Sequence, residues 1–205
     1  MYCTIADLLS EISERDLIQL SDDEAIVNLD LGADPPAWQA QTTYSERHLI
    51  LAGGGYFLSL SGGASGEVEP IWPLSCGETV SDGEVLWKRL AGSPRDVIEH
   101  AIASAASEID GYLASRLTTP LDPVPPVIKK YAGDLAIYNL YARRSDSISD
   151  IRKQRYETAI KFLRAVSEGK IHLGSILSAE QAGSAGIALY HSEPQVMTAE
   201  RLNRF

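Results

Sequence analysis

Four carboxylates, Glu67, Glu69, Asp82 and Glu84, fall close together in this chain. Two carboxyl groups flanking a glycosidic bond can act as acid and base, or as nucleophile, in sugar hydrolysis. Nothing in their spacing fixes a separation between any two of them, and the short segment that carries them leaves no room for a deep cleft. The histidines, His48, His100, His172 and His191, stand in four unrelated contexts. None is placed with Cys, Asp or Glu at metal-ligand spacing such as HExxH. Cys3 and Cys76 lie far apart, with neither a CxxC pattern nor a nearby histidine, and read as free thiols. Gly53-Gly54-Gly55 has the glycine density of a phosphate loop. It lacks the downstream Lys-Ser/Thr, however, and β-prone YFLSL follows where a helix should begin, so it reads as a turn. No GxSxG elbow or cysteine-nucleophile signature occurs. The residues therefore point away from an enzyme, and from a bound metal or cofactor.

The chain has 205 residues, 44% of them hydrophobic, enough for a substantial core. No apolar run approaches the roughly 20 residues of a membrane span, and MYCTIADLL lacks the basic start of a secretory signal. A soluble protein, cytoplasmic where it is made, is expected. The net charge of −10 is uneven. Residues 1–34 carry nine acids and one base, and residues 92–173 carry ten acids and twelve bases. Such a chain is poorly suited to wrapping nucleic acid, which is held largely by Lys and Arg. It suits a surface that DNA slides past.

These groups must be positioned by four regions of different composition. Thr4 caps a short helix with Asp7 in its first turn and an Ile5, Leu8, Leu9, Ile12 stripe. Residues 35–91 hold all three tryptophans, Trp38, Trp72 and Trp87, and short β-prone runs at 48–51, 56–60 and 84–90 separated by glycines. Asp82-Gly83 reads as a type I′ hairpin turn. The segment is expected to form a small antiparallel β module with an aromatic core. Ser93, Pro94 and Asp96 open a helix to about residue 116, with Val97, Ile98, Ala101, Ile102, Ala105, Ile109, Tyr112 and Leu113 on its apolar face. The proline-rich stretch 117–126 reads as a stiff extended linker. A second helix runs to about Arg144 with Val127, Tyr131, Leu135, Tyr138 and Tyr141 inward. A third spans about 149–168, with Ile151, Tyr156, Ile160, Leu163 and Val166 apolar, and stops at Gly169. Its Arg152, Lys153 and Arg155 are either a solvated face, paired as in Lys153–Glu157, or a patch facing DNA or an acidic partner. Residues 174–205, rich in Gly, Ala and Ser, lack the apolar surface to fold alone, but end in a tip with Val196, Met197, Leu202, Arg204 and Phe205 suited to docking on a partner.

The expected architecture is thus α+β. A helical core of about four helices, from residues 1–34 and 92–173, carries an inserted β domain at 35–91 and an extended C-terminal arm at 174–205.

Several blocks carry a resemblance. MYCTIADLL, then EIDGYLASRLTTPLDPVPPVIKKYAGDLAIYNLYARR at 108–144, RYETAIKFLRAVSEGKIHLG at 155–174 and the closing Leu202-Asn203-Arg204-Phe205 resemble the head–tail connector (adaptor) proteins of Mu-like prophages. Residues 35–91 depart from the simple pattern. Their Trp38, Gly62, Ser65-Gly66, Glu69-Pro70, Trp72-Pro73, Asp82-Gly83 and Trp87 are similar to small β repeats in other phage structural proteins. The resemblance implies a virion structural protein at the head–tail junction, forming a ring, commonly a dodecamer, below the portal. Its implied partners are its own copies, the portal protein, a tail-side connector or tail terminator, and double-stranded DNA passing through without sequence-specific binding. No membrane is involved. On this view Ala101, Ala105, Ile109 and Tyr112 pack against neighbouring copies, and the C-terminal tip docks on the portal or an adjacent subunit. The channel lining would be either the acidic N-terminal third or the basic face of the last helix. The alternative is a carbohydrate-binding or surface-decoration protein of the particle, with exposed tryptophans stacking on sugars.

Overall fold

Hydroxyl caps divide the N-terminal segment into two helices where the apolar stripe predicts one. A computed structural model describes residues 1–144 and 148–173. In it, α1 spans only Ile5–Leu9, opened by a capping box in which Thr4 and Asp7 satisfy each other's backbone N–H groups. The Ser10 hydroxyl then donates back to the Asp7 carbonyl at 2.7 Å. Ser13 caps a second helix, α2 (Glu14–Ser21), accepting from the Asp16 N–H. Ile12 is buried at the corner between them.

Residues 35–91 fold as antiparallel strands: β1 (Thr43–Tyr44), β2 (Leu49–Ala52), β3 (Gly55–Ser59), β4 (Gly63–Ala64), β5 (Thr79–Asp82) and β6 (Val85–Arg89). One sheet runs β2-β3-β6-β5, and β1 pairs with β4 in a two-stranded ribbon. Both tight hairpins have two-residue turns; the glycine run forms one as expected, and the other differs from the expectation. The type I′ turn, with positive φ at both central residues, is Gly53-Gly54, at 51° and 71°. In the second hairpin Asp82 pairs with Val85, so the turn residues are Gly83-Glu84 and not Asp82-Gly83. Only Gly83 has positive φ, as a II′ turn requires. A Cβ there would also lie 2.5 Å from the Ala64 carbonyl oxygen.

Three long helices follow: α3 (Pro94–Leu113), α4 (Pro126–Arg143) and α5 (Asp150–Ser167). Ser93, Pro94 and Asp96 start α3 as their chemistry predicts, with a full capping box. The face of α4 is rotated from the expected one, and that of α5 is as expected except at Ile151. On α4 the buried residues include Ile128, Ala132, Leu135, Ala136, Ile137 and Leu140. Tyr131 and Tyr141 only flank that core, and Tyr138 stacks on Tyr156 of α5 at 4.1 Å. Tyrosine takes the edge of a buried stripe, where its ring packs and its hydroxyl stays near water. On α5, Ala159, Leu163 and Val166 are buried, and Ile151 is 67% exposed.

The apolar residues of α1 to α5 form one cluster that also takes in Tyr2, Leu31 and Leu121. Leu8 of α1 lies over Gly133 of α4, where a Cβ would come within 3.8 Å of it. Leu121 ties the proline-rich connection into this core, its N–H donating to the Tyr2 hydroxyl at 3.0 Å. The β residues build separate, smaller clusters, one around Tyr44, Ile50, Phe57, Val85 and Trp87 and another around Ile26, Leu49 and Leu58.

Candidate functional site

The carboxylates that could have done acid–base chemistry are each held by a structural donor. Asp82, at the end of β5, is buried and accepts three hydrogen bonds: from the indole N–H of Trp38 at 2.7 Å, from that of Trp87 at 3.1 Å and from the Gly66 N–H at 2.7 Å. Glu69 accepts from the Trp72 indole at 2.7 Å, Glu67 from the Gln41 side-chain amide at 3.0 Å and Glu84 from the Ala64 N–H at 3.0 Å. These acids point to different donors and do not converge on a common space. A carboxylate with this many N–H donors is a brace for the fold. The same contacts explain the tryptophan, glycine and aspartate pattern of residues 38–87. They also count against a sugar-stacking surface: Trp87 is fully buried, Trp72 lies against Phe57 with ring centres 4.4 Å apart, and Trp38 is tied to Asp82.

The histidines remain separate. His48 meets the Tyr44 ring edge-on, and burial pushes its imidazole below the usual value. His100 lies on α3 at the rim of a cavity between α3 and α4, and His191 lies outside the described residues. Among the described residues, no three His, Cys, Asp or Glu side chains gather as a metal site. Cys3 is buried, with its thiol pushed up to about 11 by that burial and by Asp7, while Cys76 is exposed.

Charge is arranged differently from its distribution along the sequence. The acids of residues 1–34 meet bases far along the chain. Asp7 pairs with Lys129 at 2.8 Å, Glu11 with Arg155 at 3.0 Å, Glu24 with Lys88 at 2.9 Å and Asp34 with Arg95 at 3.2 Å; Asp23 meets both Arg143 and Arg144. Burial alone would raise Asp7, but hydrogen bonds from Lys129 and from the Thr4 hydroxyl and N–H hold its carboxyl below the ordinary value. The acidic N-terminal third is therefore partly neutralised by the helical part, which weakens it as a like-charged channel lining.

The expected site residues divide three ways. Ala101, Ala105 and Ile109 are buried in the chain's own core, and Tyr112 packs against it, so α3 turns this face to α4 and α5 and not to a neighbouring copy. The small residues suit close approach of helices within one subunit. Arg155 pairs with Glu11 and with the buried Asp134 at 3.3 Å, while its side chain stays 43% exposed. Arg152 is half-buried and Lys153 exposed, the latter 3.9 Å from Asp150 in place of the expected Glu157, which meets Lys161. Val196, Met197, Leu202, Arg204 and Phe205 lie outside the described residues.

One surface was missed in the sequence. In the loop between β4 and β5, Val68, Ile71 and Leu74 are 81%, 94% and 82% exposed. The loop is pinned from beneath: Trp72 sits in the aromatic core, and the Pro73 carbonyl accepts from Arg89 at 2.8 Å. Ile71 and Leu74 flank Trp72, and an aperiodic stretch gives no hint which of three apolar neighbours turns inward. Exposed apolar groups on a held loop make it a candidate interaction surface.

The family described as Bacteriophage Mu, Gp36 matches residues 2–190. The Mu-like prophage FluMu protein gp36 of Haemophilus influenzae is 36% identical over 77 residues, and Gene product J of Escherichia phage Mu is 34% identical over 88. These stretches are 38% and 42% of this chain, and the chain spans only 52% and 60% of those relatives' own lengths. The two relatives are therefore about 148 and 147 residues long (77/0.52 and 88/0.60), about 57 shorter than the 205 residues here.

Proposed function

The chain belongs to the Bacteriophage Mu, Gp36 family and is a Mu-like phage protein, and on that premise we propose that it is a structural, non-enzymatic adaptor of the particle. It forms a ring, of twelve copies in the simplest case, below the portal at the head–tail junction, continues the DNA channel and joins head to tail. Its partners are its own copies, the portal protein, a tail-side connector or tail terminator, and double-stranded DNA passing through. The protein is made in the host cytoplasm and acts in the virion.

The observation that carries this reading is the family match along nearly the whole chain. The engagement of Glu67, Glu69, Asp82 and Glu84 by structural donors agrees with it. The C-terminal tip, with Val196, Met197, Leu202, Arg204 and Phe205, is the element proposed to dock on the portal or an adjacent subunit.

Electron microscopy of particles bearing a labelled copy tests the reading. Density for the protein as a collar between portal and tail is the expected result, and label along the tail or over the capsid surface would refute it. Deleting residues 194–205 should leave a folded chain that no longer joins portal-bearing heads. Normal particles from the truncated chain would remove the docking role of the tip.

A further inference from the structure

Two exposed surfaces of this chain complement each other. The first is the β4–β5 loop, with Val68, Ile71 and Leu74 outward and the exposed carboxylates of Glu67 and Glu69 beside them. It is rigid for a loop. Trp72 packs on Phe57, and the Glu69 carboxylate holds its indole. On the sheet side, the Gly53 turn leaves no room to spare, since a Cβ there would lie 2.6 Å from Trp72 Cβ. A loop already held in shape loses little entropy on docking.

The second is a depression of about 530 Å³ between α4 and α5, lined in part by Tyr131, Ile151 and Thr158. Ile151 stands 67% exposed at its edge, where burial in the core was expected. The lining also holds Glu11 and Asp134, both paired with Arg155, and Lys130 is an exposed cation with no ion pair among the described residues. The loop is thus apolar with acids beside it, and the depression is part apolar, with its two acids paired to Arg155 and Lys130 left at its side. Both surfaces are open within a single chain.

We propose that the β4–β5 loop of one copy seats in the α4–α5 depression of the next, Ile71 and Leu74 meeting Tyr131 and Ile151 while Glu67 faces Lys130. The proposal rests on the ring reading above and specifies how neighbours touch. Two different patches on one chain make a heterologous contact, which propagates in one direction and closes into a ring when the rotation allows. Rim charges would set the register and favour encounter, and the apolar residues would supply most of the hold.

The test uses particles assembled with variant chains. A chain carrying Ile71→Cys and Ile151→Cys, with Cys76→Ser to remove the exposed native thiol, is treated with a short bismaleimide. A ladder of multimers is expected, because each copy offers one thiol to each neighbour. Either cysteine alone should give no ladder. In particles of the unaltered chain, Cys76 beside the loop should lose the alkylation it shows in the free protein, with buried Cys3 as internal control. Ile71→Asp, at an exposed position that leaves the fold intact by circular dichroism, should abolish incorporation. Collars without a ladder, or with Ile71→Asp fully incorporated, would overturn this contact and leave the ring standing. Protection of Cys76 without a ladder would assign the loop to a different protein and likewise overturn it. Absence of the chain from the junction would instead overturn the adaptor reading itself.

Discussion

The helical part of the molecule and its β module solve the problem of folding in opposite ways. The helices bury a continuous apolar cluster from Tyr2 to Val166, and the ion pairs lie around its outside. The β module has few apolar residues to bury and builds inward from a polar centre, with two tryptophans and a backbone N–H turned onto Asp82. The lesson is that a segment too small for a broad core can gain definition from a fully satisfied polar network. Such a network is unforgiving, because each lost acceptor leaves a buried donor with no partner.

The contrast is sharpest in a pair of truncations. Trp87→Ala and Leu135→Ala each empty a fully buried position, and each should cost about 2–5 kcal/mol. If the two cores are as separate as their packing, Trp87→Ala melts the sheet and shifts the remaining tryptophan emission while helical dichroism holds. Leu135→Ala should lower the helical transition itself. A single shared transition in both variants would show that the halves are one cooperative unit. A smaller effect is expected from Asp82→Asn, whose amide has one oxygen to offer three donors and an NH₂ that opposes them. It should cost about 1–3 kcal/mol and loosen the β module alone, read as faster exchange of the Trp38 and Trp87 indole hydrogens. No change would mean that shape, and not hydrogen bonding, holds the module. The smallest effect belongs to acid. Asp7 is held below its ordinary 3.8 in the fold, so its contribution is complete above that pH and fades as the pH falls through the lower, folded value. Asp7→Asn should lose that part of the acid dependence, seen as a flatter stability curve below pH 4 by denaturant titration.

The helical elements were legible where local chemistry decides them. Thr4, and Ser93 with Pro94 and Asp96, are caps whose partners lie three residues on, and they fold as they read. The β module was legible as strands and turns, though the hairpin turn slipped by one residue because strand pairing, and not the Asp-Gly dipeptide, sets the register. The helix faces were not fully legible. Treating tyrosine as a core residue turned α4 toward Tyr131, Tyr138 and Tyr141, when Ile128, Ala132 and Ala136 mark the buried side together with the expected Leu135. The charge pattern misled most, since Asp7–Lys129 and Glu11–Arg155 are separated by more than a hundred residues and no local signal joins them. For the same reason Arg155 read as available and Ile71 was passed over.

The contact between Asp34 and Arg95 has a consequence for how this chain varies. It brings the points where the backbone leaves for the strands and returns from them to one doorstep. A cassette with both ends at one threshold can be traded, lengthened or dropped with little penalty in loop closure.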